Sequence, residues 1–232
     1  MKRIISIVAA AALLCSVSSC VLNWKVVRGN GVAVTSEVEV PAFSSISILG
    51  SSDVVFTQGP KAVSLTTDEN LLEYYSIEVE EDKLIVSTQK GVSVSPKTKT
   101  VITVSNPDLS GVGILGSGDC KVQDGLKSEG EFSFTVTGSG DLYADSIVCT
   151  EFTSKVSGSG DVKVEGLTCE SASLSVLGSG DIAIGCKDAG DFKVRISGSG
   201  DVKLWGNART LEQKVSGSGS VDAKRLALSG AE

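Results

Sequence analysis

The stretch Val156-Ser157-Gly158-Ser159-Gly160-Asp161-Val162 decides the fold, because its central motif, Gly-Ser-Gly-Asp, recurs through the second half of the chain. The motif begins at Gly116, Gly138, Gly158, Gly178 and Gly198, and a final version, Gly-Ser-Gly-Ser, begins at Gly217. Successive starts are 22, 20, 20, 20 and 19 residues apart. Repetition at a nearly fixed period indicates a stack of near-identical structural units.

Apolar and polar residues alternate on both sides of each motif, as in a strand with one buried face. One apolar column, two residues before the first glycine, contains Val136, Val156, Val176, Ile196 and Val215; another, directly after the motif, contains Cys120, Leu142, Val162, Ile182, Val202 and Val221. Two short strands cannot bury their apolar face alone, whereas coils stacked about 4.8 Å apart form a continuous core. The sequence therefore predicts an all-β fold, a right-handed parallel β-helix or solenoid with coils of about 20 residues.

The glycines of the motif are predicted to form the corners between strands, where the backbone needs a positive φ angle. The Ser and Asp side chains can then accept hydrogen bonds from nearby backbone N–H groups. On this interpretation the substitution Gly160→Val strains one corner and lowers stability by about 1–3 kcal/mol.

The first half, residues 36–115, is predicted to be a less regular β-rich part that continues into the regular coils of residues 116–232. The string Ile46-Ser-Ile-Leu-Gly-Ser-Ser-Asp53 repeats the pattern of the later motifs. Three local features are predicted within this first half: a helical turn over 68–74 capped by Asp68 or Asn70, a hairpin with strands 77–79 and 84–86, and a polar loop over 91–99.

The first residues have the features of a secretory signal, since Lys2 and Arg3 precede the apolar run Ile4–Leu14, which is too short to span a membrane. Residues 1–19 are predicted to be a lipoprotein signal peptide, because Val17-Ser18-Ser19-Cys20 resembles a bacterial lipobox. Lipidation of Cys20 would anchor residues 20–35, predicted to be a tether or first edge strand, to the membrane. The alternative is an ordinary signal peptide with a stray cysteine.

Charge and composition exclude several classes of function. Without Lys2 and Arg3, 19 basic residues face 28 acidic ones, so the mature chain carries a net charge of −9. An acidic surface repels phosphate backbones, so nucleic acid is not an expected partner. The chain has no histidine, which removes the usual general base near neutral pH and the commonest metal ligand.

Five aspartates end the repeated motifs: Asp119, Asp141, Asp161, Asp181 and Asp201. Such a column could coordinate calcium between coils, or each carboxylate could cap its own corner. Lys121, Lys163 and Lys203, two residues further on, are expected on the same outward face, where they would partly neutralise the column. Closely spaced carboxylates also suit a retaining glycosidase. Five equivalent aspartates are nevertheless typical of a structural role, so we predict no enzyme, no cofactor and no catalytic residue.

Cys120, Cys149, Cys169 and Cys186 fall mostly on core positions, where free thiols behave as small hydrophobic side chains. Cys149 and Cys169 are equivalent in neighbouring coils, so a disulfide between them is the alternative. Zinc is not expected, because the spacing contains no Cys-x-x-Cys pair.

The outer surface and the open end offer fewer signals. Tyr143 and Trp205 are predicted to be isolated surface aromatics rather than a stacking platform for sugars. The last coil, residues 215–228, shows no capping helix. Either Leu226 and Leu228 fold over the open end, or two molecules pair end to end as a homo-oligomer.

The chain resembles the family of putative auto-transporter adhesins with a head GIN domain, whose lipoproteins are common in the Bacteroidetes. The resemblance covers residues 35 to 225 and is carried by the lipobox and by these strings: Phe43-Ser-Ser-Ile-Ser-Ile48, Asn70-Leu-Leu-Glu73, Asp82-Lys-Leu-Ile-Val86 and the Gly-Ser-Gly-Asp coils. It implies a β-helical fold and a location in the cell envelope, and it assigns no catalytic or ligand residue.

These observations together predict a lipid-anchored, non-enzymatic β-helical protein of the envelope that acts in adhesion or scaffolding through its surface. The predicted location is an outer-membrane lipoprotein, with the periplasmic and surface faces both open, because Val21–Lys25 is not acidic. Its partners are expected to be the membrane, through the lipid, and a glycan or protein. The alternative function is a glycan-binding or carbohydrate-active protein that uses the aspartate face with calcium.

Overall fold

The computed structural model describes residues 25–230, and the predicted signal peptide and Cys20 lie outside this range. The fold is nearly all-β, with 67% of residues in strands, and its stacked parallel coils form a β-solenoid of about 6 turns. The predicted fold class is therefore confirmed.

The elements follow one another as short strands, with a single 3₁₀ helix in the described part. The strands are β1 (Lys25–Arg28), β2 (Ala33–Glu37), β3 (Ser45–Gly50), β4 (Val54–Gln58), β5 (Ala62–Asp68), β6 (Tyr75–Glu80), β7 (Lys83–Thr88), β8 (Val92–Ser95), β9 (Val101–Asn106), β10 (Gly111–Gly116), β11 (Cys120–Gln123), β12 (Leu126–Lys127), β13 (Glu131–Gly138), β14 (Leu142–Ala144), β15 (Ile147–Val148), β16 (Glu151–Gly158), β17 (Val162–Thr168), β18 (Ser171–Gly178), β19 (Ile182–Gly198), β20 (Val202–Gly217) and β21 (Val221–Leu228). The 3₁₀ helix spans Glu69–Tyr74.

Two faces of the solenoid meet at the repeated motif. The first face stacks β7, β3, β10, β13, β16, β18 and the second halves of β19 and β20, all in parallel. The second face stacks β9, β4, β11, β14, β17, the first halves of β19 and β20, and β21, again in parallel. Because each corner motif has the same length, equivalent residues of successive coils lie directly over one another.

The core is built from the predicted columns. On the first face Val136, Val156, Val176 and Ile196 are paired in register and at most 2% exposed. A second column of that face holds Phe132, Phe152, Ala172 and Phe192, all buried. A polar residue enters this inward pattern at Ser154, which is buried between Phe134 and Leu174 of the neighbouring coils.

The first half covers one end of the stack with antiparallel strands. β5 pairs antiparallel with β9 and carries β2 outside it, and β6 pairs antiparallel with β7. The predicted hairpin and helical turn are thus confirmed. These strands cover the core at this end, and none of them carries an exposed large apolar side chain.

The prediction of a loop over residues 91–99 is wrong for Val92–Ser95, because this segment forms β8 and pairs in parallel with β1. Within the described part of the predicted tether, residues 25–35 hold β1 and the start of β2, which agrees with the edge-strand alternative. The side chain of Asp68 connects the segments that flank β1 and β8. Its carboxylate does not cap the 3₁₀ helix but accepts the backbone N–H groups of Gly31 and Lys97, at 2.6 and 2.7 Å.

Asn70, the other candidate cap, also holds the β1 segment in place. Its side-chain oxygen accepts the N–H of Asn30 at 2.8 Å, and its amide donates to the carbonyl of Arg28 at 2.9 Å. Both predicted caps therefore stabilise a contact between distant segments instead of a helix end.

Candidate functional site

The corner formed by the repeated motif is the most regular feature of the surface, and its two glycines have different roles. Gly158 adopts a φ of 141°, so the predicted positive φ is confirmed at the first glycine. Gly160 has no positive φ, and the expectation of a strained corner there needs correction. A Cβ atom at Gly160 would instead overlap the carbonyl oxygen of Gly140 and lie 2.9 Å from Val136 Cγ1. Close approach of the coils thus requires the second glycine.

The aspartates after these glycines form a hydrogen-bonded ladder along the corner. In each step the Oδ1 atom of one aspartate accepts the backbone N–H of the equivalent residue in the next coil. The donor–acceptor distances are 3.2 Å for Asp53–Asp119, 2.9 Å for Asp119–Asp141, 2.8 Å for Asp141–Asp161 and Asp161–Asp181, and 2.7 Å for Asp181–Asp201 and Asp201–Ser220. We call this row of side chains the aspartate ladder.

The aspartate ladder corrects the prediction that each carboxylate caps its own corner. Each carboxylate bonds to the next coil because the backbone N–H group of the equivalent residue lies directly beside it, one strand spacing away. The ladder also extends beyond the five predicted residues. It begins at Asp53, 66 residues before its partner, and ends at Ser220, whose hydroxyl and N–H both donate to Asp201. In the sequence, the Ser-Ser-Asp variant of the motif at 51–53 indicates that Asp53 belongs to the ladder.

The geometry of the ladder gives little support to a metal site. One oxygen of each carboxylate already accepts a backbone N–H, whereas calcium takes 6–8 oxygen ligands from a converging set. Within residues 25–230, no group of three or more His, Cys, Asp or Glu side chains is close enough to hold a metal ion. The arrangement can bind one coil to the next.

The lysines beside the ladder do not pair with it, contrary to the expected neutralisation. Lys163 forms a salt bridge with Glu165 at 2.6 Å. Lys121 and Lys163 flank the ring of Tyr143 from the two neighbouring coils, with their Nζ atoms 5.3 and 5.8 Å from the ring centroid. Partial burial, and then a hydrogen bond with Asp145, raise the pKa of Tyr143. The phenol is thus neutral and held between two cations.

Trp205 lies further along the same side of the second face. Its indole covers Gly185 of the previous coil, where an added Cβ atom would lie 2.8 Å from the indole Nε1. Lys203 precedes it, in the outward column that contains Lys163. We call Lys121, Tyr143, Lys163, Lys203 and Trp205 the aromatic–lysine face. The outward positions predicted for Tyr143 and the three lysines are confirmed, but Tyr143 is not isolated.

The cysteines are buried in the core and free. None of Cys120, Cys149, Cys169 and Cys186 forms a disulfide in the described part of the chain, and this supports the free-thiol interpretation. Burial raises the pKa of the Cys120, Cys149 and Cys186 thiols to about 12 and that of Cys169 to about 11. These thiols stay protonated at neutral pH and are poor nucleophiles.

Two surface depressions lie near opposite ends of the solenoid. One, of about 480 Å³, runs along β5 and the segment after β2; the other, of about 580 Å³, lies beside the last coils around Ala208. Neither is lined by an aromatic side chain. A sugar-binding groove usually offers such a ring, so these depressions do not resemble one.

Comparison with known proteins finds similarity to a family of putative adhesins. The profile of the family described as putative auto-transporter adhesin, head GIN domain, matches residues 42–183 and 167–232. No protein with a curated description matches the sequence. Within residues 25–230, the 3₁₀ helix Glu69–Tyr74 is too short to cross a membrane.

Solved structures share the fold at low sequence identity. A putative adhesin from Bacteroides fragilis is 20% identical, with a TM-score of 0.70 over 84% of this chain and 99% of that chain. A putative adhesin from Parabacteroides merdae is 21% identical, with a TM-score of 0.60 over 85% and 98%. A putative lipid binding protein from Parabacteroides distasonis is 22% identical, with a TM-score of 0.55 over 85% and 99%.

Proposed function

Since the chain belongs to the family described as putative auto-transporter adhesin, head GIN domain, we propose that it is a lipid-anchored, non-enzymatic module of the cell envelope. It acts in adhesion or scaffolding through its outer surface. The lipid anchor is Cys20, and the location is the outer membrane. The observation that supports this function is a stack of coils that holds its outward side chains in register.

The aromatic–lysine face is the part of that surface best suited to a partner. Lysine and aromatic side chains from several coils project from one sheet, and the stack fixes their spacing. Tyr143 is held by two lysines and Trp205 rests on Gly185, so little side-chain entropy is lost when a partner binds. A glycan or protein surface that packs against these two aromatic rings complements this face.

A non-enzymatic role is supported by the state of the reactive groups. The ladder carboxylates are used in hydrogen bonds to the backbone, the thiols are buried and protonated, and the chain contains no histidine. Catalysis needs a group free to accept or donate a proton beside the substrate.

The proposed anchor also sets the orientation of the solenoid. Four residues lie between Cys20 and Lys25, where β1 begins, and the five Cα-to-Cα steps of that stretch span at most about 18 Å when extended. The first half, which contains β1, therefore lies next to the membrane, and the last coils are the end away from it.

Fractionation of cells expressing the wild-type chain and Cys20→Ser tests the anchor. The wild-type chain should sediment with membranes and the variant should be soluble, whereas equal membrane association of both contradicts lipidation.

Adhesion is tested with the Cys20→Ser chain on a glycan array and on immobilised envelope proteins. Binding that is lost in Tyr143→Ala with Lys163→Ala, but kept in the control Lys155→Ala on the first face, supports the aromatic–lysine face.

A calcium-dependent glycan-binding or carbohydrate-active protein is the alternative function, and it has less support. It needs carboxylates that are free to bind the ion, whereas each ladder Oδ1 atom is engaged by the next coil. Glycan binding that requires calcium and is lost in Asp161→Asn would favour this alternative.

A further inference from the structure

Within residues 25–230, the last coil leaves one edge of the first face without a pairing strand. The first half of β20, Val202–Ala208, is covered by β21, but the second half pairs on one side only, with residues 191–198 of β19. Val215 is 42% exposed, whereas its equivalent in the previous coil, Ile196, is 2% exposed. Leu226 and Leu228 do not fold over this edge, because they belong to β21 and pair beside residues 206–208. We call residues 210–216 the open edge.

The side chains of the open edge alternate between two directions. Leu211, Gln213 and Val215 follow the buried columns that contain Phe192, Val194 and Ile196. Glu212 and Lys214 follow the outward columns that contain Lys193 and Arg195. The edge therefore offers unpaired backbone groups, the exposed side chain of Val215, the half-buried side chain of Leu211 and one charge of each sign.

The sequence of the open edge is complementary to itself when read in the opposite direction. If two copies of Leu211-Glu-Gln-Lys-Val215 lie antiparallel about a two-fold axis through Gln213, Leu211 faces Val215 and Glu212 faces Lys214. Each of these pairs occurs twice because the axis repeats it. Opposite charges and apolar residues placed directly across a strand pair are the favourable arrangements in a sheet.

We propose that the open edges of two copies of this chain pair antiparallel, tail to tail, in a symmetric dimer centred on Gln213. The contact joins the two first faces into one continuous sheet and covers the exposed apolar end of both cores. The contact uses the same surface on both copies, so the assembly closes at two copies. The edge strands at the opposite end, β6 and β2, differ from the open edge because neither carries an exposed large apolar side chain.

The dimer brings two adhesion surfaces into one particle. Under the proposed orientation, the first halves lie near the membrane and the last coils point away from it. A tail-to-tail dimer then connects two chains whose lipid anchors lie at opposite ends, in two membranes or in distant patches of one. This consequence depends on the proposed function, whereas the dimer itself does not.

Sedimentation velocity of the full chain with Cys20→Ser tests the dimer by charge reversal. The chain should show a concentration-dependent monomer–dimer equilibrium. Lys214→Glu places Glu212 against a glutamate twice and should weaken the dimer by about tenfold or more. Adding Glu212→Lys restores opposite charges and should recover most of the affinity. Lys155→Glu, in the same outward column in the middle of the stack, is the control and should leave the affinity unchanged.

The register of the proposed strand pair is tested by one introduced cysteine in the Cys20→Ser chain. Directly opposed residues of an antiparallel pair lie about 4.5–5.5 Å apart at their Cα atoms, which suits a disulfide. Gln213→Cys should therefore form a covalent dimer on oxidation, while Lys155→Cys should not. Unfolding curves confirm that each variant folds. A monomer at all concentrations, growth beyond the dimer, or no recovery in the double variant would overturn the proposal.

Discussion

At the scale of single residues, the second glycine of each motif shows how closely the coils approach. The backbone of Gly160 lies against the carbonyl of Gly140, so a methyl group there has no space and the coils must shift apart. We expect Gly160→Ala to lower the free energy of unfolding by about 1–3 kcal/mol, the usual cost of overpacking a tight contact. Denaturant unfolding measures the change.

Gly130→Ala is the matched control for that substitution. A Cβ atom at Gly130 meets no atom within 4 Å and its φ is not positive, so its effect should stay within about 0.5 kcal/mol. Equal effects of the two substitutions would contradict the close contact between coils.

The buried cysteines give a second prediction at this scale. Their raised pKa values and burial keep the thiols unreactive in the folded chain. Iodoacetamide at pH 8 should leave Cys120, Cys149, Cys169 and Cys186 unmodified in the native state, and should alkylate all of them in denaturant without a reductant. Mass spectrometry counts the modified residues. Two unmodified cysteines in denaturant would reveal a disulfide.

Individual elements differ in how far the sequence predicts them. The strands on each side of a Gly-Ser-Gly-Asp corner are predictable because the fixed spacing places apolar residues over their equivalents. Strand β8 is not, because Val92-Ser-Val-Ser95 is short and pairs with β1 through backbone groups, 67 residues away. No periodic signal in the sequence connects two segments so distant.

The residues of the candidate site also differ in how far the sequence predicts their positions and contacts. The position of every ladder aspartate follows from the motif, and so does the outward direction of Tyr143. The forward reach of each carboxylate does not follow, because a bond to the same corner and a bond to the next coil use the same residue type. Likewise, the complete burial of Ser154 between Phe134 and Leu174 does not follow from its residue type.

The last two coils contain an ion pair that makes stability depend on pH. Arg209 donates to both carboxylate oxygens of Asp191, at 2.9 and 2.6 Å, and Thr210 donates to one of them. The hydrogen bonds from Arg209 and then Thr210 hold the pKa of Asp191 well below its usual value. Burial acts to raise the pKa of Asp68, but the N–H groups of Thr98, Lys97 and Gly31 together lower it.

Because both carboxyls have a lower pKa in the folded chain than in the unfolded one, they contribute stability above about pH 4, the unfolded value. That stability is lost as the pH falls through the lowered pKa values. The melting temperature should therefore drop between pH 5 and pH 2, and Asp191→Asn should show a smaller drop. Glu151→Gln, in the same column two coils earlier, is the control; if it flattens the profile equally, Asp191 is not the cause.

At the scale of the whole molecule, the solenoid is closed at one end and open at the other. Antiparallel strands of the first half cover the core near β7 and β9, whereas the last coil exposes Val215 and Leu228. Each coil contacts only its neighbours, so stability is approximately the sum of the contacts between adjacent coils. The aspartate ladder contributes one hydrogen bond to each of these contacts.

Thermal and denaturant unfolding of wild type, Asp161→Asn and Asp161→Ala, each with and without millimolar calcium, tests most directly whether this ladder binds coil to coil without a metal. Asn keeps the Oδ1 acceptor and removes one of several stacked charges, so its stability should stay within about 0.5 kcal/mol of wild type. Ala leaves the N–H of Asp181 to water and should cost about 1 kcal/mol. Calcium should change none of the three. A rise in wild-type stability with calcium that disappears in Asp161→Asn would contradict the structural role of the ladder.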